Sequence, residues 1–119
     1  MILVDTSIWI DHGRRRDPLL VEWLIEGWVL GHPFVQGELA CGQMPRRSEV
    51  LALFDALPSA TVLSHAEVLH FVDRLNLPGS GLGWIDMHLL ASAIASRATL
   101  ATRNRHLAQA ARAIGLATA

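Results

Sequence analysis

Three carboxylates stand where the surrounding pattern would place apolar side chains: Asp5, Glu38 and Asp86. Asp5 closes the apolar run Ile2-Leu3-Val4 at its carboxyl end, the edge of an open α/β sheet where ligands bind. Glu38 lies one turn after Phe34 in the segment Phe34-Val35-Gln36-Gly37-Glu38-Leu39-Ala40, which reads as a packed helix. Asp86 has Leu89, Leu90 and Ala93 as its helical neighbours, so its spacing puts it on the buried stripe. Burying a charge without a partner is expensive, which makes such positions informative. Each acid also has an ordinary reading by itself: Asp5 as a helix cap, Glu38 turned outward or paired with an Arg, Asp86 as a first-turn acid favoured by the helix dipole. Gathered at one sheet edge they would repel one another and raise their pKa values unless a cation lay among them. Hard oxygen donors without sulfur select Mg²⁺ or Mn²⁺ over zinc.

Bringing these acids together requires strands that alternate with helices around a mostly parallel sheet, and the chain has that alternation throughout. Strands are predicted over Ile2–Asp5, Trp28–His32, Ala60–Leu63 and Thr99–Thr102, with a short fifth over Leu116–Thr118. Asp17-Pro18 opens a helix that Gly27 closes, and Pro33 starts another that ends near Gly42. Further helices are predicted over Ser48–Ala56, from the capping box Ser64-His65-Ala66-Glu67 through Leu77, over Trp84–Ala98, and from Asn104 to Ile114. The loop Pro78-Gly79-Ser80-Gly81-Leu82-Gly83 reads as the rim of a cleft. All 119 residues belong to one domain, residues 1–119, of a length that can bury a single core.

Composition removes several chemistries. All ten basic residues are Arg, and the chain contains neither Lys nor Tyr. That excludes a Walker phosphate site and a phosphoacceptor module, both of which need a Lys. A haloacid-dehalogenase-like phosphatase would want a second Asp where Ser7 stands. No Ser/His/Asp or Cys/His arrangement of recognisable spacing supplies a nucleophile. The lone Cys41 cannot form an internal disulfide, and the start of the chain lacks a basic leader and any apolar run long enough for a membrane, so a cytoplasmic protein without membrane association is expected. A net charge of −1 argues against holding long nucleic acid by overall charge, leaving local Arg clusters to do so.

Four segments in order carry a resemblance: Ile2-Leu3-Val4-Asp5-Thr6-Ser7, Gly37-Glu38-Leu39-Ala40, Asp86-Met87-His88-Leu89-Leu90-Ala91-Ser92-Ala93 and Leu100-Ala101-Thr102-Arg103-Asn104-Arg105-His106-Leu107. Together they resemble the PIN-domain nucleases, in particular the VapC-type toxins of bacterial toxin–antitoxin pairs. The resemblance implies a three-layer α/β/α sandwich with a four- to five-stranded sheet. It implies a catalytic set of Asp5, Glu38, Asp86 and Asn104, the first three holding Mg²⁺ or Mn²⁺. Asn104 stands where the family usually has Asp, and His106 where another Asp often follows. An Asn between a strand and a helix also reads as an N-cap. Thr6, Ser7 and Thr102 would orient carboxylates or water, or serve as ordinary caps and turns. His88 reads as a helix-surface residue, and His106 as one able to position a phosphate.

The implied function is that of a metal-dependent endoribonuclease toxin, with a catalytically weakened RNA- or protein-binding module as the alternative that Asn104 raises. Arg14, Arg15, Arg16, Arg46, Arg47, Arg103 and Arg105 would meet RNA phosphates, or else be solvated surface charge. A cognate antitoxin would dock in a groove lined by Trp9, Ile10, Trp23 and Trp28, unless these pack between the first helices and the sheet. Homodimerisation is also implied.

Overall fold

Short apolar runs flanked by helix caps leave little chain for strands, and the sheet is correspondingly small. A computed structural model describes residues 1–119. Its central strand β1 (Ile2–Val4) pairs in parallel with β2 (Val29–Leu30) on one side and β3 (Thr99–Ala101) on the other. Ile2 is opposite Val29 and Thr99, and Leu3 is opposite Leu30 and Leu100. The sheet therefore has three strands, not the four to five expected.

The two missing strands survive as single bridges at the edges, Gly31 with Ser59 and Leu100 with Thr118. Gly31 N–H donates to the Pro58 carbonyl at 2.9 Å and Ala60 N–H to the Gly31 carbonyl at 2.8 Å. Beyond Ala60 the chain leaves the ladder, because Thr61 N–H turns to Ser96 Oγ (2.8 Å) and Ser64 begins capping a helix. Pro58 has no N–H with which to extend the edge in the other direction.

Seven helices complete the fold: α1 (Thr6–Arg14), α2 (Pro18–Ile25), α3 (Pro33–Cys41), α4 (Arg47–Asp55), α5 (His65–Arg74), α6 (Trp84–Ala95) and α7 (Arg105–Ala113). Five begin on a side-chain cap that satisfies otherwise orphaned amides. Asp17 accepts from Leu19 and Leu20 N–H for α2, and Ser64 and Glu67 form the expected box on α5. Asp5, His32 and Asn104 cap α1, α3 and α7. Helices α5 and α6 stop three residues before their predicted ends. Asn76 and Arg97 adopt positive φ there, and the amides of Leu77 and Ala98 bond back to the carbonyls of Val72 and Ala93, a left-handed closure that periodicity does not announce.

Packing around β1 and α6 positions the site. Leu3, Val4, Leu89, Leu90, Leu100 and Leu107 are fully buried, and every residue from Met87 to Ala93 is removed from solvent. No helix is long and apolar enough to cross a membrane.

Candidate active site

Asp5 ends the sheet and begins a helix at once. Its N–H still donates to the Ala101 carbonyl of β3 (2.9 Å), while its Oδ1 accepts from Thr6 N–H (2.7 Å) as the cap of α1. Oδ2 accepts from Ser7 Oγ (3.0 Å) and from Thr102 Oγ1 (2.6 Å), the latter 97 residues away in sequence. Both hydroxyls are oriented in turn: Ser7 Oγ accepts from Arg103 N–H and Thr102 Oγ1 from Asn104 N–H, each at 3.0 Å. With backbone amides at their lone pairs, their single protons are left to point at Asp5. The carboxylate is almost completely buried and held by three bonds.

Glu38 joins the same network through Thr6, whose Oγ1 donates to Glu38 Oε1 at 2.7 Å. The helix does not bury Glu38 as its segment suggested. Val35 and Leu39 form the buried stripe of α3, which leaves Glu38 on an exposed face. That face borders a concavity of about 480 Å³ shared with Phe34 and with Ile85 of α6.

Asp86 lies at the edge of its helix's buried run, half-buried, and its Oδ2 accepts from Gly83 N–H (3.1 Å). Burial pushes its carboxyl above the ordinary value, the Gly83 bond opposes this, and the nearby charge of Asp5 pushes it up again. Asp5, Glu38 and Asp86 do not close into a three-ligand cage. Even so, surplus negative charge on oxygen-only donors at a partly buried sheet edge suits a hard divalent cation.

Asn104 serves as the N-cap of α7. Its Oδ1 accepts from His106 and Leu107 N–H at 3.0 and 3.3 Å. The oxygen that would face a metal is thus engaged with the helix, and the amide adds no negative charge. His106 is exposed at the start of the same helix.

The arginines divide into committed and free groups. Arg103 pairs with Asp11 (2.6 Å) and with Asp17, Arg46 with Glu49 (3.1 Å), and Arg47 donates to the Ala40 carbonyl at the end of α3. Arg14, Arg15 and Arg16 are exposed and, with Arg103, Asp11 and Asp17, line a polar concavity of about 520 Å³. Arg105 is also exposed.

Packing decides between the two readings of the tryptophans and overturns that of His88. Trp9 is wholly buried against Phe54, with ring centroids 5.3 Å apart, and Trp23 is buried too, so these two belong to the core and do not line a groove. Ile10 is half-buried, and of the four only Trp28 is open, at 46% exposure. His88 is not a surface residue: it is 3% exposed, packed between Phe34 and Trp84, and its Nδ1 has no hydrogen-bond partner. Burial holds its pKa below the usual value, with the charge of His65 acting in the same direction. The rings of Phe34 and Trp84 cover it from outside.

His32 was missed as a site residue. Its Nε2 lies 3.1 Å from Ser92 Oγ and its Nδ1 accepts from Phe34 N–H at 3.0 Å, so this imidazole fixes the start of the helix that carries Glu38. Burial, then the charge of His88, push its pKa down to about 4. The signal available in sequence was a His immediately before Pro33 at a strand end, a cap-then-proline order. A separate concavity of about 600 Å³ between Leu63, Phe71 and Ile94 contains none of the three acids.

Comparison with known proteins places this geometry. The sequence profile of the PIN domain family matches residues 2–113. Ribonuclease VapC32 of Mycobacterium tuberculosis, in strains CDC 1551 / Oshkosh and ATCC 25618 / H37Rv, is 45% identical over 120 residues, covering 100% of this chain and 97% of the relative. FitAcB from Neisseria gonorrhoeae superposes with a TM-score of 0.65 at 19% identity, covering 99% of this chain and 96% of that one. PAE2754 from Pyrobaculum aerophilum superposes with a TM-score of 0.62 at 17% identity, covering 92% and 78%. The two structures bear on fold alone.

Proposed function

The chain belongs to the PIN domain family and is of its VapC type, and from that membership we infer that it is an endoribonuclease, the toxin of a toxin–antitoxin pair. The observation that carries this reading is the buried Asp5 carboxylate at the sheet edge, clamped by Thr6 N–H, Ser7 and Thr102 and linked through Thr6 to Glu38. Asp5, Asp86 and Glu38 would hold Mg²⁺ or Mn²⁺. The chemistry such a cation would supply there is a lowered pKa for water, the nucleophile, and compensation of charge on the phosphate.

The chain's own residues do the rest. Ser7 and Thr102 fix the orientation of the Asp5 carboxylate, and Thr6 holds Glu38 toward it. Of the seven arginines singled out from the sequence, Arg14, Arg15, Arg16 and Arg105 are left to meet RNA phosphates, because Arg47, Arg46 and Arg103 already have intramolecular partners. Antitoxin docking is assigned to Trp28 with the exposed Leu19 and Ile25 of α2, and association into a homodimer or a toxin–antitoxin assembly goes with that role. An exposed, unpaired Cys41 fits a reducing cytoplasm.

One observation favours a second reading, a weakened RNA- or protein-binding module: Asn104 spends its side-chain oxygen on α7. Incubating purified protein with structured RNA and Mg²⁺ or Mn²⁺ separates the two. The nuclease cleaves, EDTA stops it, and Asp5→Asn or Asp86→Asn lowers the rate on the order of 100-fold or more while the protein stays folded. Cleavage undiminished by EDTA or by Asp5→Asn refutes the nuclease mechanism. An inert wild type with an active Asn104→Asp variant supports the second reading.

A further inference from the structure

Beside the carboxylates the surface changes character. Phe34 stands one turn before Glu38 on α3, and Trp84 two residues before Asp86 on α6. Both residues are 36% exposed, whereas Trp9 and Trp23 are buried. They are not loose. His88 is wedged between them, its ring 4.5 Å from Phe34 and 4.8 Å from Trp84 at interplanar angles of 64° and 85°. His65 braces Trp84 at 4.9 Å, and His32 braces Phe34 at 5.3 Å while bonding its N–H. Edge-to-face and tilted packing of this kind fixes a ring's position without covering both of its faces.

The concavity on the Phe34 side of this wall is lined by Pro33, Phe34, Gly37, Glu38, Cys41 and Ile85 and no Arg, and Trp84 stands outside it, next to Ile85 in the chain. A phosphate there would meet apolar walls and a carboxylate. A nucleobase, neutral and planar, suits the same walls. Resting on the nuclease reading above, we propose that Phe34 and Trp84 form a stacking platform for a base next to the phosphodiester held at the carboxylates. The substrate is therefore RNA that is unpaired at that point, since a base inside a duplex cannot reach an aromatic face. The arginines outside this concavity follow the backbone, and the platform takes the base.

The test uses the full chain carrying Asp5→Asn to prevent cleavage, and two probes: single-stranded oligo(A) and an abasic ribose-phosphate oligomer of equal length. Trp84→Ala and Phe34→Leu each weaken oligo(A) binding about tenfold and leave the abasic oligomer unaffected. Trp84→Phe keeps oligo(A) affinity within about twofold, because a phenyl face still stacks. Oligo(A) quenches tryptophan emission in the Asp5→Asn background, and Trp84→Phe removes that quench. Unchanged oligo(A) affinity in the Ala and Leu variants, or an equal loss with the abasic oligomer, overturns the platform. So does a Trp84 emission shift that follows protein concentration without RNA, which would mark a protein contact. Absence of RNA hydrolysis by the parent chain together with a Trp84-dependent quench refutes the nuclease reading and leaves the platform standing. Hydrolysis with unaltered affinities does the reverse.

Discussion

Protonating His32 should unlatch the helix that carries Glu38 and Phe34. Its Nδ1 accepts from Phe34 N–H, so the neutral ring carries its proton on Nε2, facing Ser92 Oγ. A second proton has to go on Nδ1, where it meets another N–H and destroys the cap. Folded, the group titrates at about 4; unfolded, it titrates at the ordinary 6.5. Within that window the unfolded chain binds the proton and the folded chain does not, so stability is complete above pH 6.5 and falls as pH drops toward 4. At ~1.4 kcal/mol per unit the loss is about 3 kcal/mol, a sizeable share of the ~5–15 kcal/mol that typically holds a domain together. His88 is the titratable neighbour on α6, and it too is disfavoured as a cation by burial. Urea denaturation at several pH values, followed by far-ultraviolet circular dichroism, reads the effect. His32→Asn retains a capping oxygen and lacks the titration, so its stability should decline less steeply below pH 6.5 than that of wild type. Parallel decline of the two proteins, or an NMR titration of the His32 ring near 6.5, refutes the reasoning.

Thr6→Val removes the donor to Glu38 at nearly constant volume and should lower cleavage about 10- to 100-fold, with Thr6→Ser restoring most of it; steady-state rates on one RNA check this. Asn104→Ala leaves two amides of α7 uncapped and should cost about 1 kcal/mol, a fall in Tm of roughly 4–8 °C by calorimetry. Asn104→Asp keeps the cap and adds a carboxylate, so it should hold Tm and tighten Mn²⁺ binding in isothermal titration.

The capped starts of α2, α5 and α7 were legible in the sequence because a cap is a local event. Asp17, Ser64 and Asn104 bond amides two or three residues ahead, and no distant part of the chain need be known. Asp5 was legible for a similar reason: an acid closing an apolar strand is noticeable wherever that strand pairs. Its partner Thr102 could be named only through resemblance, since the bond spans 97 residues. The sheet's width was misjudged because an apolar run shows that a segment is buried, not how many ladder bonds it makes. Ala60 begins such a run and makes one bridge's worth.

Residue types and near-neighbour spacing thus established the alternation of strands and helices, the caps, the acids near strand ends and helix starts, and the exclusion of Lys chemistry. Tertiary packing decided which faces were covered. It buried Trp9 and exposed Trp28, moved Glu38 to an open face beside buried Leu39, and enclosed His88 between Phe34 and Trp84. Periodicity defines the faces of a helix, but which face loses its water depends on contacts between elements far apart in the chain.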